Sequence, residues 1–120
     1  MNAAPAGGRE FMPQVNDDLP PGRRPMIAVI RAVPGHEDQL AAAIATLTTA
    51  VRQEPGCVEF RAFHDVANPA VFHLYEIYTD TNAFRAHLTT DHVAHFFTEL
   101  ARHSTADAKA LVQLIEPHAS

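Results

Sequence analysis

Between Leu74 and His92, four side chains able to move a proton or steady an oxyanion fall close together in the chain: Glu76, Tyr78, His87 and His92. An imidazole titrates near neutral pH, a carboxylate accepts hydrogen bonds and a phenol donates one, so the set is equipped for acid–base chemistry. Asn82 adds a neutral donor between them. The stretch also changes its period, from the alternation of Leu74-Tyr75-Glu76-Ile77-Tyr78 to a helical repeat through Ala83-Phe84-Arg85-Ala86-His87-Leu88. The reactive residues therefore surround one strand-to-helix junction, where a pocket can form.

Other candidates carry less. The chain has eight histidines, with His92 and His95 three apart on one helical face and His87 and His103 nearby. A catalytic zinc site needs three converging protein ligands, and these histidines lack a standard paired motif and alternate with core positions, so no metal ligand is assigned. Cys57 starts a strand after a helix-ending turn with no acid–base pair beside it, and reads as a small core residue.

The elements that must position these groups begin at Met26. Met26 to Val33 is apolar at nearly every position between Pro25 and Pro34-Gly35, which predicts a strand buried on both faces. His36 to Glu54 carries Leu40, Ile44, Leu47 and Val51 at helical spacing, with Glu37 and Asp38 in the first turn, and Pro55-Gly56 ends it. Cys57 to Val66 alternates, with Val58, Phe60, Ala62 and His64 on one face and Cys57, Glu59, Arg61, Phe63 and Asp65 on the other. Ala67-Asn68-Pro69-Ala70 is a turn into a second strand, Val71 to Thr79, giving an antiparallel hairpin. Asp80 or Thr81 caps a short helix ending near Leu88. Thr90 or Asp91 caps another, carrying Val93, Phe96, Phe97 and Leu100. Lys109 to Glu116 reads as the last strand. The order β-α-β-β-α-β predicts an α+β fold in which a four-stranded antiparallel sheet carries its helices on one face. The bare face of such a sheet is an apolar patch, which predicts a homodimer built sheet to sheet.

With 120 residues and 47% hydrophobic content, the chain suits one domain. Nine basic against 14 acidic side chains, a net charge of −5, argue against nucleic acid as a partner. No apolar run approaches the ~20 residues of a spanning helix, so no membrane association is expected. A single cysteine and no secretory pattern lead to the expectation of a cytoplasmic location. Residues 1–25, rich in proline and glycine, read as an extension before the domain at 26–120. It is either a flexible tail or an arm that docks through Phe11, Met12 and Val15.

From Met26 to about Glu116 the chain resembles the antibiotic biosynthesis monooxygenase family. The resemblance rests on Glu54-Pro55-Gly56-Cys57, Tyr75-Glu76-Ile77-Tyr78, Ala83-Phe84-Arg85-Ala86-His87-Leu88, and Asp91-His92 followed by Phe96 and Phe97. It implies a ferredoxin-like protomer in a dimeric α+β barrel, and oxygenation of a quinol or other polyphenol by dioxygen with no metal, flavin or other cofactor. The family also includes haem-degrading members, but these rely on a tryptophan together with a haem-ligating histidine and an asparagine. The chain has no tryptophan, so haem breakdown is disfavoured.

A cofactor-free oxygenase needs a base and a few polar donors in an apolar surround. His87 is the first candidate for the base; His92 and Tyr78 complete the expected catalytic set. Glu76, Asn82, Phe84, Phe96 and Phe97 are expected to bind substrate. Glu76 has a second reading as half of a structural ion pair with Arg31 or Arg61. Two other functions are compatible with the same residues: proton-transfer isomerisation of a small hydroxy-ketone, and non-enzymatic binding of a small aromatic ligand.

Overall fold

The computed structural model describes residues 15, 16, 18–105 and 110–117. Its elements are β1 (Arg24–Arg31), α1 (Glu37–Val51), β2 (Cys57–His64), β3 (Val71–Tyr78), α2 (Thr81–His87), α3 (Asp91–His103) and β4 (Ala110–Gln113). The strands form one antiparallel sheet in the order β2-β3-β1-β4, with β3 and β1 at its centre. This is the ferredoxin-like α+β architecture expected from the order of the elements. Of the arm residues singled out in the sequence, Phe11 and Met12 lie outside the described residues, whereas Val15 packs against the core. Among the described residues no helix is long and apolar enough to cross a membrane.

The core lies between the helices and one face of the sheet. Leu40, Ile44, Leu47 and Val51 of α1 and Val93, Phe96 and Leu100 of α3 are buried against Met26 and Ile30 of β1, Phe60 of β2 and Phe72, Leu74 and Tyr78 of β3. The starts of α2 and α3 follow from local chemistry. The Asp80 carboxylate accepts from the Ala83 amide at 2.7 Å to start α2, and the Thr90 hydroxyl accepts from the Val93 amide at 3.3 Å to start α3.

Four expectations are corrected. First, α1 stops at Val51, which leaves Glu54 in the turn after it; the amides of Gln53 and Glu54 make tight turn hydrogen bonds to Ala50 and Val51 carbonyls. Second, Cys57 and Phe60 share the core-facing side of β2. A bulge pairs Cys57 with Tyr78 and Glu59 with Ile77, leaving Val58 as the extra residue and shifting the alternation by one. Third, β1 is fully buried on one face only: Met26 and Ile30 are buried, whereas Ile27 and Val29 on the other face are half-buried among the described residues. Fourth, β4 spans only Ala110–Gln113, and Leu114 and Ile115 beyond it are exposed. Lys109 lies outside the described residues.

Candidate active site

The turn that carries Glu54 is pressed onto α2. A methyl group at Gly56 would stand 2.4 Å from the Ala83 Cβ, so only glycine allows this approach, and the Thr79 amide donates to the Gly56 carbonyl at 2.9 Å. The docking brings Glu54 to the last residue of α2 and the second residue of α3. His87 Nδ1 lies 2.9 Å from Glu54 Oε2 and 3.1 Å from Oε1, and His92 Nε2 lies 2.5 Å from Oε2. The side chains of His87 and Glu54 are 7% and 11% exposed, and that of His92 is 27% exposed, so the cluster runs from the interior to the surface.

A second carboxylate lies deeper. Glu76 is buried on the helix-facing side of β3 and accepts from the Tyr78 hydroxyl at 2.7 Å. Neither arginine considered for it is its partner: Arg61 pairs with Glu59 at 3.9 Å and lies over the Phe63 ring, and Arg31 is exposed at the far end of β1. The two carboxyls are pushed in opposite directions. Burial raises the pKa of Glu54, but the hydrogen bonds and positive character of His87 and His92 outweigh it, and the net shift is downward. For Glu76, burial dominates over the His87 charge and the Tyr78 hydrogen bond, and its pKa is raised. Burial, reinforced by Glu76, also raises the Tyr78 phenol, which therefore keeps its proton and acts as a donor. Two neighbouring acids with opposed shifts are the arrangement in which one stays ionised and the other holds a proton.

His87, Glu76, Phe84, Phe96 and Phe97 line a cavity of about 90 Å³ between the sheet and the helices, lined otherwise by Phe60 and aliphatic side chains. Four of the five expected substrate-binding residues thus meet there with the expected base. Three other candidates fall elsewhere. Tyr78 is fully buried, its ring 4.9 Å from that of His87, and it does not line the cavity; it acts on the site through Glu76. Asn82 is exposed and accepts from Arg85 Nη1 at 2.8 Å, on a surface depression shared with Arg24. His92 lines a separate groove between α1 and α3, with Gln39, His95 and Glu99, and meets the cavity residue His87 through Glu54 and through a tilted ring contact at 6.5 Å.

Glu54 was missed as a functional residue. Its signal was present in Glu54-Pro55-Gly56, where a carboxylate precedes a helix-stopping pair, but that pair alone reads as the end of a helix.

Comparison with known proteins bears on the fold and the family. No curated protein matches the chain. Among solved structures, PA3566 from Pseudomonas aeruginosa is similar at 25% identity and a TM-score of 0.75, covering 81% of this chain and 96% of that one. A structure described as an antibiotic biosynthesis monooxygenase is 25% identical with a TM-score of 0.73, covering 78% and 97%. Rv0793 from Mycobacterium tuberculosis shares the fold at 19% identity and a TM-score of 0.75, covering 82% and 98%. The family described as antibiotic biosynthesis monooxygenase matches residues 26–99, a span that holds β1 from Met26, the Glu54 turn and the cavity lining except Leu100 and Leu111. The chain belongs to the antibiotic biosynthesis monooxygenase family.

Proposed function

We propose that the protein is a monooxygenase that oxidises a quinol or related polyphenol with dioxygen, without a cofactor, and that His87 is its base. The observation that carries this is the Glu54–His87 pair at the cavity wall. With a carboxylate against Nδ1, the neutral imidazole keeps its hydrogen on that nitrogen, and Nε2 retains the lone pair to take a phenolic proton. Glu54, ionised, steadies the imidazolium that results. Glu76, with the Tyr78 hydroxyl behind it, is placed to hold a substrate oxygen. The phenolate passes one electron to dioxygen, the radical pair joins to form a carbon–oxygen bond, the peroxide anion takes back the proton held on His87, and the hydroperoxide loses water to leave a carbonyl.

An apolar cavity suits the electron transfer, because it excludes water from the radical pair. Its volume is below the ~300–1,000 Å³ of most small-molecule sites, so a polyphenol must enter edge first past the half-buried Leu88, Phe97 and Leu111. The same volume favours a second reading, isomerisation of a small hydroxy-ketone by the same base. Metal-free protein should consume oxygen with a panel of quinols above the spontaneous rate, and His87→Ala should abolish the excess. No excess rate with any quinol would sink the oxygenase reading, and a product formed anaerobically from a hydroxy-ketone would establish the other.

The working form is proposed to be a homodimer joined through the open sheet faces, where Ile27 stands beside Tyr75 and Val112 in register, and Phe63 and Val112 are 45% and 49% exposed. A cytoplasmic location goes with this reading.

A further inference from the structure

We propose that Glu54, His87 and His92 together bind one divalent transition-metal ion, and that the ion turns His87 from a hydrogen-bond acceptor into a donor at the cavity. The ligand atoms His87 Nδ1, His92 Nε2 and a Glu54 oxygen all lie within 4.8 Å of one another. Two imidazoles and one carboxylate match zinc, cobalt or nickel, whereas magnesium and calcium select oxygen ligands. Zinc bonds of about 2.0–2.2 Å place tetrahedral ligands roughly 3.3 Å apart. The present separations of 2.9 and 2.5 Å from Glu54 Oε2 therefore have to widen by less than about 1 Å. His92 can supply that movement, being partly exposed in the first turn of α3. Of the three ligands, His92 lines the groove between α1 and α3, so an ion would reach the cluster from that side, with water completing its coordination.

The consequence at the cavity follows from the imidazole ring. A metal on Nδ1 uses the lone pair there, so the hydrogen of the neutral ring moves to Nε2. The nitrogen available to the cavity then donates and can no longer take a proton. Inhibition of turnover by the ion rests on the oxygenase reading above; binding and the change of tautomer do not.

Chelator-stripped protein would be titrated with Co²⁺ by visible absorption and with Zn²⁺ by calorimetry. One equivalent should bind per chain, Glu54→Gln and His92→Ala should each weaken binding by more than about tenfold, and His95→Ala should leave it unchanged. The absence of one-to-one binding, binding that survives both substitutions, or binding lost on His95→Ala alone would overturn the site. His92→Ala serves if Glu54→Gln does not fold. Long-range ¹H–¹⁵N spectra should show the His87 hydrogen moving to Nε2 on adding Zn²⁺; an unchanged tautomer with the ion bound refutes the switch. A metal-free protein that binds the ion but turns over no quinol counts against the oxygenase, not against this site.

Discussion

The two faces of the sheet are both largely apolar, yet they treat polar groups in opposite ways. On β3, Phe72, Leu74, Glu76 and Tyr78 face the helices while Val71, His73, Tyr75 and Ile77 face away. On the open face the polar groups sit near water: His73 meets Asp65 at 3.2 Å and Arg61 meets Glu59, each pair substantially exposed and worth little to stability. On the covered face Glu76 is buried with one neutral hydrogen-bond donor, Tyr78. A carboxyl held in such a place costs stability, and its retention on the wall of a cavity points to use rather than to folding. The contrast separates the surface proposed for association from the interior proposed for chemistry.

The sharpest way to break that contrast is at the base. His87→Ala should lower turnover by about 10²–10⁴-fold; Glu54→Gln should cost less than this, because the ring keeps a neutral partner. Steady-state oxygen uptake checks both. If the two variants keep full activity, the covered face is only a core. Next is the docking of the turn. Gly56→Ala should destabilise the fold by about 1–3 kcal/mol, because the added methyl meets the Ala83 side chain at 2.4 Å. Urea unfolding measures this, and loss of the Glu54–His87 contact should lower activity in parallel.

A smaller effect concerns Glu76. Its pKa is raised in the folded state by burial, so the folded chain holds the proton more tightly than the unfolded one. The resulting stability is fully present below the ordinary value of 4.5 and is lost as pH rises through the folded value. Glu76→Gln has no such proton to lose and still accepts from Tyr78. It should therefore be more stable than the parent at pH 7, on the order of 1 kcal/mol, with the difference vanishing near pH 4. Thermal melts across that range test it, and a destabilised variant at pH 7 would contradict the picture of a strained buried acid. Smallest is the expected effect on the stability of the single chain from Phe63→Ser with Val112→Ser, within about 0.5 kcal/mol each. The same pair should nevertheless shift the molecular mass measured by light scattering from dimer to monomer. An unchanged mass would mean that the open face is not the joining surface.

Much of this was legible in the residues. The spacing of Leu40, Ile44, Leu47 and Val51 marked the buried face of α1, and the alternation of Phe72, Leu74, Glu76 and Tyr78 marked the covered face of β3. The sequence pattern groups Phe84, His87, Phe96 and Phe97 with Glu76, and these residues share one cavity. Asn82 and Tyr78 were not distinguishable from them, because lying near a junction in sequence does not say whether a side chain turns to the pocket, the solvent or the packed core. Cys57 was assigned to the wrong face because a bulge leaves no mark in an alternating pattern.

What the sequence by itself determined was the order of the elements, the buried sides of α1 and β3 and the family, since hydrophobic periodicity and turn residues act over a few positions. Only the tertiary structure decided that Glu54 should be the partner of His87 and His92, which lie 33 and 38 residues further along. That meeting depends on how a turn without regular structure packs against two helices, with Gly56 clearing the space at Ala83. Such a contact is chosen by the shape of the whole core, and no local pattern records it.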